Sequence, residues 1–178
     1  MVIRKAATAD LDAVAAIYDA IHSEEEAGHA IIGWVRGVYP TRDTAEAAMR
    51  LGTLYVLEDA GIIRAAAKID QEQPDTYALA DWHIPAAPHE VLVLHTLVVD
   101  PAASRKGYGK AFVAFYEQEA RRLGCRALRI DTNAKNTAAR RLYAALGYRE
   151  AGASPCVFNG IPDVLLVCLE KGVPETVK

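Results

Sequence analysis

The stretch Val91–Val99 (VLVLHTLVV) constrains the fold more than any other part of the chain. Apolar residues fill both alternating sets of positions, so a strand here needs cover on both faces. That places it at the centre of a sheet. Asp100-Pro101 breaks the strand, and Ser104–Lys110 (SRKGYGK) leads into Ala111–Leu123. There Phe112, Tyr116, Ala120 and Leu123 share one helical face, and Gly124 suits the C-terminal cap. A buried strand, a polar turn and an amphipathic helix in sequence point to an α/β domain.

The flanking segments extend this pattern. Val2–Lys5 predicts a short strand. Thr8 or Asp10 can cap a helix reaching about Ala27, with Leu11, Val14, Tyr18 and Ile21 at helical spacing. Gly28, Gly33, Gly37 and Pro40 predict a loop. Thr41–Leu51 reads as a second helix. Thr53–Glu58 and Ile62–Ile69 form a hairpin around Asp59-Ala60-Gly61. Pro74, Pro85 and Pro88 mark another loop. Ala127–Asp131, Ala138–Leu146 and Val164–Leu169 read as strand, helix and strand. A length of 178 residues without internal repeats or linker composition predicts one domain over 1–178.

Charge and cysteine usage limit the partners. A formal net charge of -3 argues against a nucleic-acid binder, which usually carries a basic excess. No apolar run approaches the roughly twenty residues needed to span a bilayer. The N-terminus turns acidic too early for a signal peptide. Cys125, Cys156 and Cys168 are odd in number and lack close metal-ligand spacing. A reduced, cytoplasmic protein with no metal is the expectation.

The turn Ser104–Lys110 has the makings of an anion site. A helix start leaves backbone N–H groups unpaired and carries partial positive charge. Gly107 and Gly109 allow close approach to the backbone, and Arg105, Lys106 and Lys110 add full charges. The alternative is an ordinary strand-to-helix connection with solvated basic residues. Familiar nucleotide loops do not fit. A P-loop would need Ser or Thr where Ala111 stands and Gly where Ser104 stands. The dinucleotide fingerprint fails at Phe112.

LVVDPAASRKGYGKAF, together with Asn136–Tyr148 (NTAARRLYAALGY), resembles the GNAT superfamily of N-acetyltransferases. The order of elements is also similar, over nearly the whole chain. The resemblance implies a mixed, mostly antiparallel central sheet flanked by helices, and acetyl-CoA as co-substrate. It implies that backbone groups of Leu97 and Val99 pair with the pantetheine arm, and that a backbone N–H of Val98 or Leu97 polarises the thioester carbonyl. The N–H groups of Arg105, Lys106, Gly107, Tyr108, Gly109 and Lys110 would hold the pyrophosphate. Asn136 would contact the cofactor near its reacting end, and Tyr143 would protonate the departing thiolate. A homodimer is common among similar proteins. Two positions depart from the family's pattern. Ser104 stands where Gln or Arg is frequent, with Arg105 able to supply the contact, and no Glu or Asp lies within Val91–Val99 to act as base.

The residues themselves leave alternatives open. Tyr143 shares a helical face with Ala139, Leu142 and Leu146, so it fits either a core position or a proton donor. His95 is the only titratable side chain of the central strand. Strict alternation puts it on one face with Val91, Val93, Leu97 and Val99, as a base or as a satisfied core histidine. Trp34, Tyr39, Asp81, Trp82 and His83 lie in predicted loops that could build an acceptor pocket. Glu24-Glu25-Glu26 reads as a solvated helix end that could also attract a cationic amine. Arg140 and Arg141 face solvent or the adenosine phosphate. The expected activity is transfer of an acetyl group from acetyl-CoA to a primary amine by direct attack, without an acyl-cysteine. A second reading is an acyl-CoA-binding sensor without turnover. A third is a binder of another nucleotide.

Overall fold

Eleven strands and α-helices organise the described residues: β1 (Val2–Lys5), α1 (Leu11–Glu26), α2 (Arg42–Arg50), β2 (Leu54–Asp59), β3 (Ile62–Asp70), β4 (Val91–Val99), α3 (Tyr108–Arg122), β5 (Ala127–Asn133), α4 (Thr137–Ala145), β6 (Arg149–Phe158) and β7 (Ile161–Gly172). The computed structural model describes residues 1–173. The strands form one sheet in the order β1-β2-β3-β4-β5-β7-β6. Every neighbouring pair is antiparallel except β4 and β5, which the α3 crossover joins in parallel.

The central strands part company halfway along. Their register runs from Val91↔Ala127 to Leu94↔Ile130 and stops. Beyond that point β4 pairs only with β3, and β5 only with β7 as far as Asn133↔Leu166. The β5-facing edge of β4 from His95 onward therefore has no strand beside it. Below the split, the buried Tyr116 of α3 lies against both strands. Its hydroxyl is 2.7 Å from the Leu92 carbonyl oxygen and 3.0 Å from that of Arg129. One proton is shared between the two acceptors.

A bulge in β4 alters the expected faces. Lys68 pairs with His95, but Ala66 pairs with Val98, so Thr96 and Leu97 together oppose Ala67. Thr96 takes a positive φ of 52° to accommodate this. Alternation changes phase there. Leu92, Leu94, Leu97 and Val99 pack on the α3 side, while Val98 joins the α1–α2 cluster. Val91 and Val93 belong to a third cluster on the opposite side from Leu97. The single five-residue face predicted by strict alternation is therefore broken between His95 and Leu97.

Two other elements differ from expectation. α3 begins at Tyr108 rather than Ala111, so Tyr108, Gly109 and Lys110 form its first turn. β6 was not expected from the sequence. Gly152 and Pro155 interrupt its pattern, and register shifts at Glu150/Gly152 and Cys156/Phe158 break its period-two signal. It forms a hairpin with β7 through Asn159-Gly160, both at positive φ, the conformation of a tight hairpin turn.

Candidate active site

The anion turn follows directly from β4. Asp100 accepts from the Ala102 N–H at 3.0 Å and pairs with Arg64 at 2.7 Å, fixing the point where the strand ends. Gly107 caps α3 at a φ of 82°, where a side chain would be strained although space is open. The first intrahelical acceptor is the Gly107 carbonyl, which receives the Ala111 N–H at 2.9 Å. The N–H groups of Tyr108, Gly109 and Lys110 precede it and have no intrahelical carbonyl to reach. Ser104, Arg105, Lys106 and Lys110 are exposed around this helix start. Tyr108 contributes only its backbone there. Its side chain is buried and donates its hydroxyl proton to Asp59 at 2.7 Å.

The free edge of β4 presents alternate residues. Asp100 donates its N–H to the Arg64 carbonyl at 2.8 Å. By period-two alternation the Val98 amide also faces β3, opposite Ala66. The amides of Leu97 and Val99 are thus left for the gap, and Val98 is removed from the candidates for carbonyl polarisation. Leu94, His95, Thr96 and Leu97 of β4 line a cleft with a cavity volume of about 450 Å³.

At the head of the cleft, Asn136 caps α4 by accepting the Ala139 N–H at 3.1 Å. Its side-chain oxygen is engaged in the fold while the residue lines the cleft. Tyr143 is the buried residue of α4 and also lines the cleft. Its ring meets that of Tyr148 edge-on at 5.9 Å. No hydrogen-bond partner is present for its hydroxyl among the described residues, although buried polar atoms without partners are confined to Thr76 Oγ1 and Arg129 Nε. The hydroxyl therefore reaches the cleft. Burial pushes its pKa up, so it remains protonated through the neutral range.

His95 lines the same cleft and is held from one side. Its Nε2 lies 3.2 Å from Asp70 Oδ1 and 3.2 Å from the Glu72 carbonyl oxygen. Both neighbours accept, so Nε2 carries the proton of the neutral ring and Nδ1 keeps a lone pair. Lys68 closes the cluster, with Asp70 at 3.1 Å and Glu72 at 2.7 Å.

Asp131 was missed from the sequence. It follows the last β4–β5 register pair, as His95 does on the neighbouring strand, and it lines the cleft. Tyr77 donates to its Oδ2 at 2.7 Å. Burial pushes the carboxyl pKa up, and His95 partly opposes that. A carboxylate at the end of the expected Ala127–Asp131 strand, beside the central one, was the available signal.

Of the loop residues, Trp34 and Tyr39 line the cleft, edge to face at 6.1 Å, and Tyr39 hydrogen-bonds Thr96 at the bulge. Asp81, Trp82 and His83 do not. Trp82 stacks on Arg129 at 4.0 Å, and the His83 N–H donates to the buried Glu170 at 2.8 Å. Glu25 proves to be structural. It accepts the N–H groups of Ile32 at 3.0 Å and Trp34 at 3.3 Å, tying the 28–40 loop to α1. Arg140 is taken by Glu150 at 2.7 Å. All three cysteines are free, and burial pushes Cys168 up to about 12, which keeps it a thiol. Among the described residues no cluster suits a metal ion, and no helix is long and apolar enough to cross a membrane.

The model of the acetyltransferase (GNAT) family matches residues 10–148. The chain belongs to this family. Its fold is shared by a GNAT acetyltransferase from Streptococcus agalactiae, with a TM-score of 0.78 and 18% identity over 96% of this chain and 94% of that one. The ribosomal-protein-alanine N-acetyltransferase of Brucella melitensis superposes with a TM-score of 0.70 and 22% identity, covering 97% and 99%. The yncA protein of Salmonella typhimurium, whose structure includes its cofactor acetyl-CoA, gives 0.68 and 22%, covering 100% and 96%. No curated protein matches the sequence. In this GNAT chain the unpaired edge of β4 reaches the cleft of Tyr143 at Leu97, and β4 ends a few residues before the α3 cap.

Proposed function

We propose that the protein transfers an acetyl group from acetyl-CoA to a primary amine by direct attack with both substrates bound. The observation that carries this is the unpaired edge of β4. Beyond Leu94 it has no strand beside it; Leu97 lines the cleft that holds Tyr143, and the strand leads on into the cationic start of α3. The edge can pair with an extended amide-bearing arm as an added strand would. The α3 N–H groups and Arg105, Lys106 and Lys110 suit a pyrophosphate. Acetyl-CoA supplies the activated acyl group and a thiol leaving group.

The chain's own residues then divide the work. The Leu97 N–H faces the gap and stabilises negative charge on the carbonyl oxygen. Tyr143 is protonated at neutral pH and gives its proton to the leaving sulfur. His95 Nδ1 accepts the proton lost by the amine, with Asp70 fixing the tautomer. No acyl-cysteine is required, and the high Cys168 pKa disfavours one.

The test is a panel of amines with acetyl-CoA and detection of released thiol. Turnover with at least one amine supports the reading. CoA binding without turnover across the panel favours the sensor instead, and displacement of CoA by ATP or NAD favours another nucleotide.

A further inference from the structure

Resting on the acetyltransferase reading, we propose that Asp131 is the ammonium anchor of the acceptor site, and that the acceptor is a small monoamine with an apolar body. Asp131 stands at the floor of the cleft where β4 and β5 separate. Tyr77 satisfies Oδ2, while Oδ1 has no hydrogen-bond partner among the described residues. Among the described residues no lysine or arginine is paired with this carboxyl, and Lys68 alone of them lines the cleft, where Asp70 and Glu72 already hold it. A half-buried carboxylate without a counter-ion is costly. An incoming ammonium supplies the missing charge and a hydrogen bond to Oδ1; it then passes one proton to the Asp131 carboxylate, which leaves the neutral amine to attack and its second proton for His95 Nδ1.

The rest of the acceptor side defines the body of the ligand. Trp34, Phe158, Ile161, Val164 and Leu166 line its apolar part, and Glu72, the other carboxylate lining the cleft, is already paired with Lys68 at 2.7 Å. A carboxylate beside the amine would face Asp131 with no free cation to receive it. A second ammonium would sit against apolar walls. The pocket is also confined. Gly33 packs so closely on Asn133 that an added Cβ would overlap it, and a Cβ on Gly160 would lie 3.3 Å from Val38. The 28–40 loop and the β6–β7 turn therefore approach one another and the end of β5. Arylalkylamines and branched alkylamines fit this arrangement better than amino acids or polyamines.

The test uses the full chain and 2-phenylethylamine as probe. Binding is measured by calorimetry without acetyl-CoA, alongside 2-phenylethanol and phenylalanine, and CoA binding is measured separately. The inference predicts that the amine binds at least about tenfold more tightly than the alcohol or the amino acid. It also predicts that kcat/KM for the amine exceeds that for phenylalanine or 1,5-diaminopentane by about tenfold or more. Asp131→Asn should lose amine binding by at least about tenfold while CoA binding stays within about twofold, and Asp131→Glu should retain part of it. The alcohol comparison needs no variant and stands even if Asp131→Asn fails to fold. Equal binding of amine and alcohol, preference for phenylalanine or the diamine, or an Asp131→Asn protein with parental amine affinity would overturn the inference. CoA binding without amine discrimination removes the anchor and leaves the cofactor reading intact. Amine discrimination without CoA binding keeps the anchor and removes the acetyltransferase reading.

Discussion

The two ends of the cleft are built on different principles. The proposed cofactor end uses backbone from one short stretch: the β4 edge, the Gly107 cap and the first turn of α3. The acceptor end uses side chains drawn from the 28–40 loop, the end of β5 and the β6–β7 hairpin. A backbone site depends on chain geometry and tolerates many side chains. A side-chain site depends on long-range contacts, and a single substitution can reshape it. Variants at the two ends should therefore separate cofactor binding from acceptor turnover.

Tyr143→Phe should have the largest effect. Loss of the phenolic proton is expected to lower kcat by about 100-fold, in the usual range for a general acid, with CoA affinity within about twofold. Unchanged turnover would remove Tyr143 from the chemistry. Gly33→Ala comes next and should act only at the acceptor end. The new methyl overlaps Asn133, and Gly33 has a φ of 89°, so the loop must move. KM for the amine should rise about tenfold in steady-state assays while calorimetric CoA affinity holds; a parallel loss of CoA affinity would show that the two ends are not separable.

Gly107→Ala should do the reverse. Its Cβ would meet open space, so the cost is the left-handed conformation alone, about 1 kcal/mol. CoA affinity should weaken about three- to tenfold with the amine KM unchanged. An unaltered CoA titration would argue that the cap does not shape the anion site. Tyr116→Phe, below both ends, is the smallest. It removes the hydroxyl shared by the Leu92 and Arg129 carbonyls, and denaturant unfolding should show a loss of about 1 kcal/mol. A selective loss of CoA binding, without loss of stability, would contradict its role as a clasp between the parting strands.

This contrast also explains what the sequence revealed. Gly107 and the cations lie within a few residues of one another, so the sequence alone suggested an anion site there, whereas Leu97 and Val99 were reached through the family resemblance. Tyr143 was reached through the second segment of the family pattern. Strict alternation misplaced His95 relative to Leu97 because the Thr96 bulge changes the phase of β4. Asp131 and Tyr77 are 54 residues apart and meet only through the sheet. Glu25 looked like a solvated helix end because its partners are backbone amides of a loop with no periodic signal. Gly152 and Pro155 concealed β6 because neither residue type favours a strand interior.

The most direct measurement is calorimetric titration of the intact protein with CoA, followed by competition with ATP and NAD. The path from the β4 edge to the α3 cap predicts saturable, one-to-one CoA binding that neither competitor displaces at equal concentration. Absence of CoA binding, or equal displacement by NAD, would contradict it.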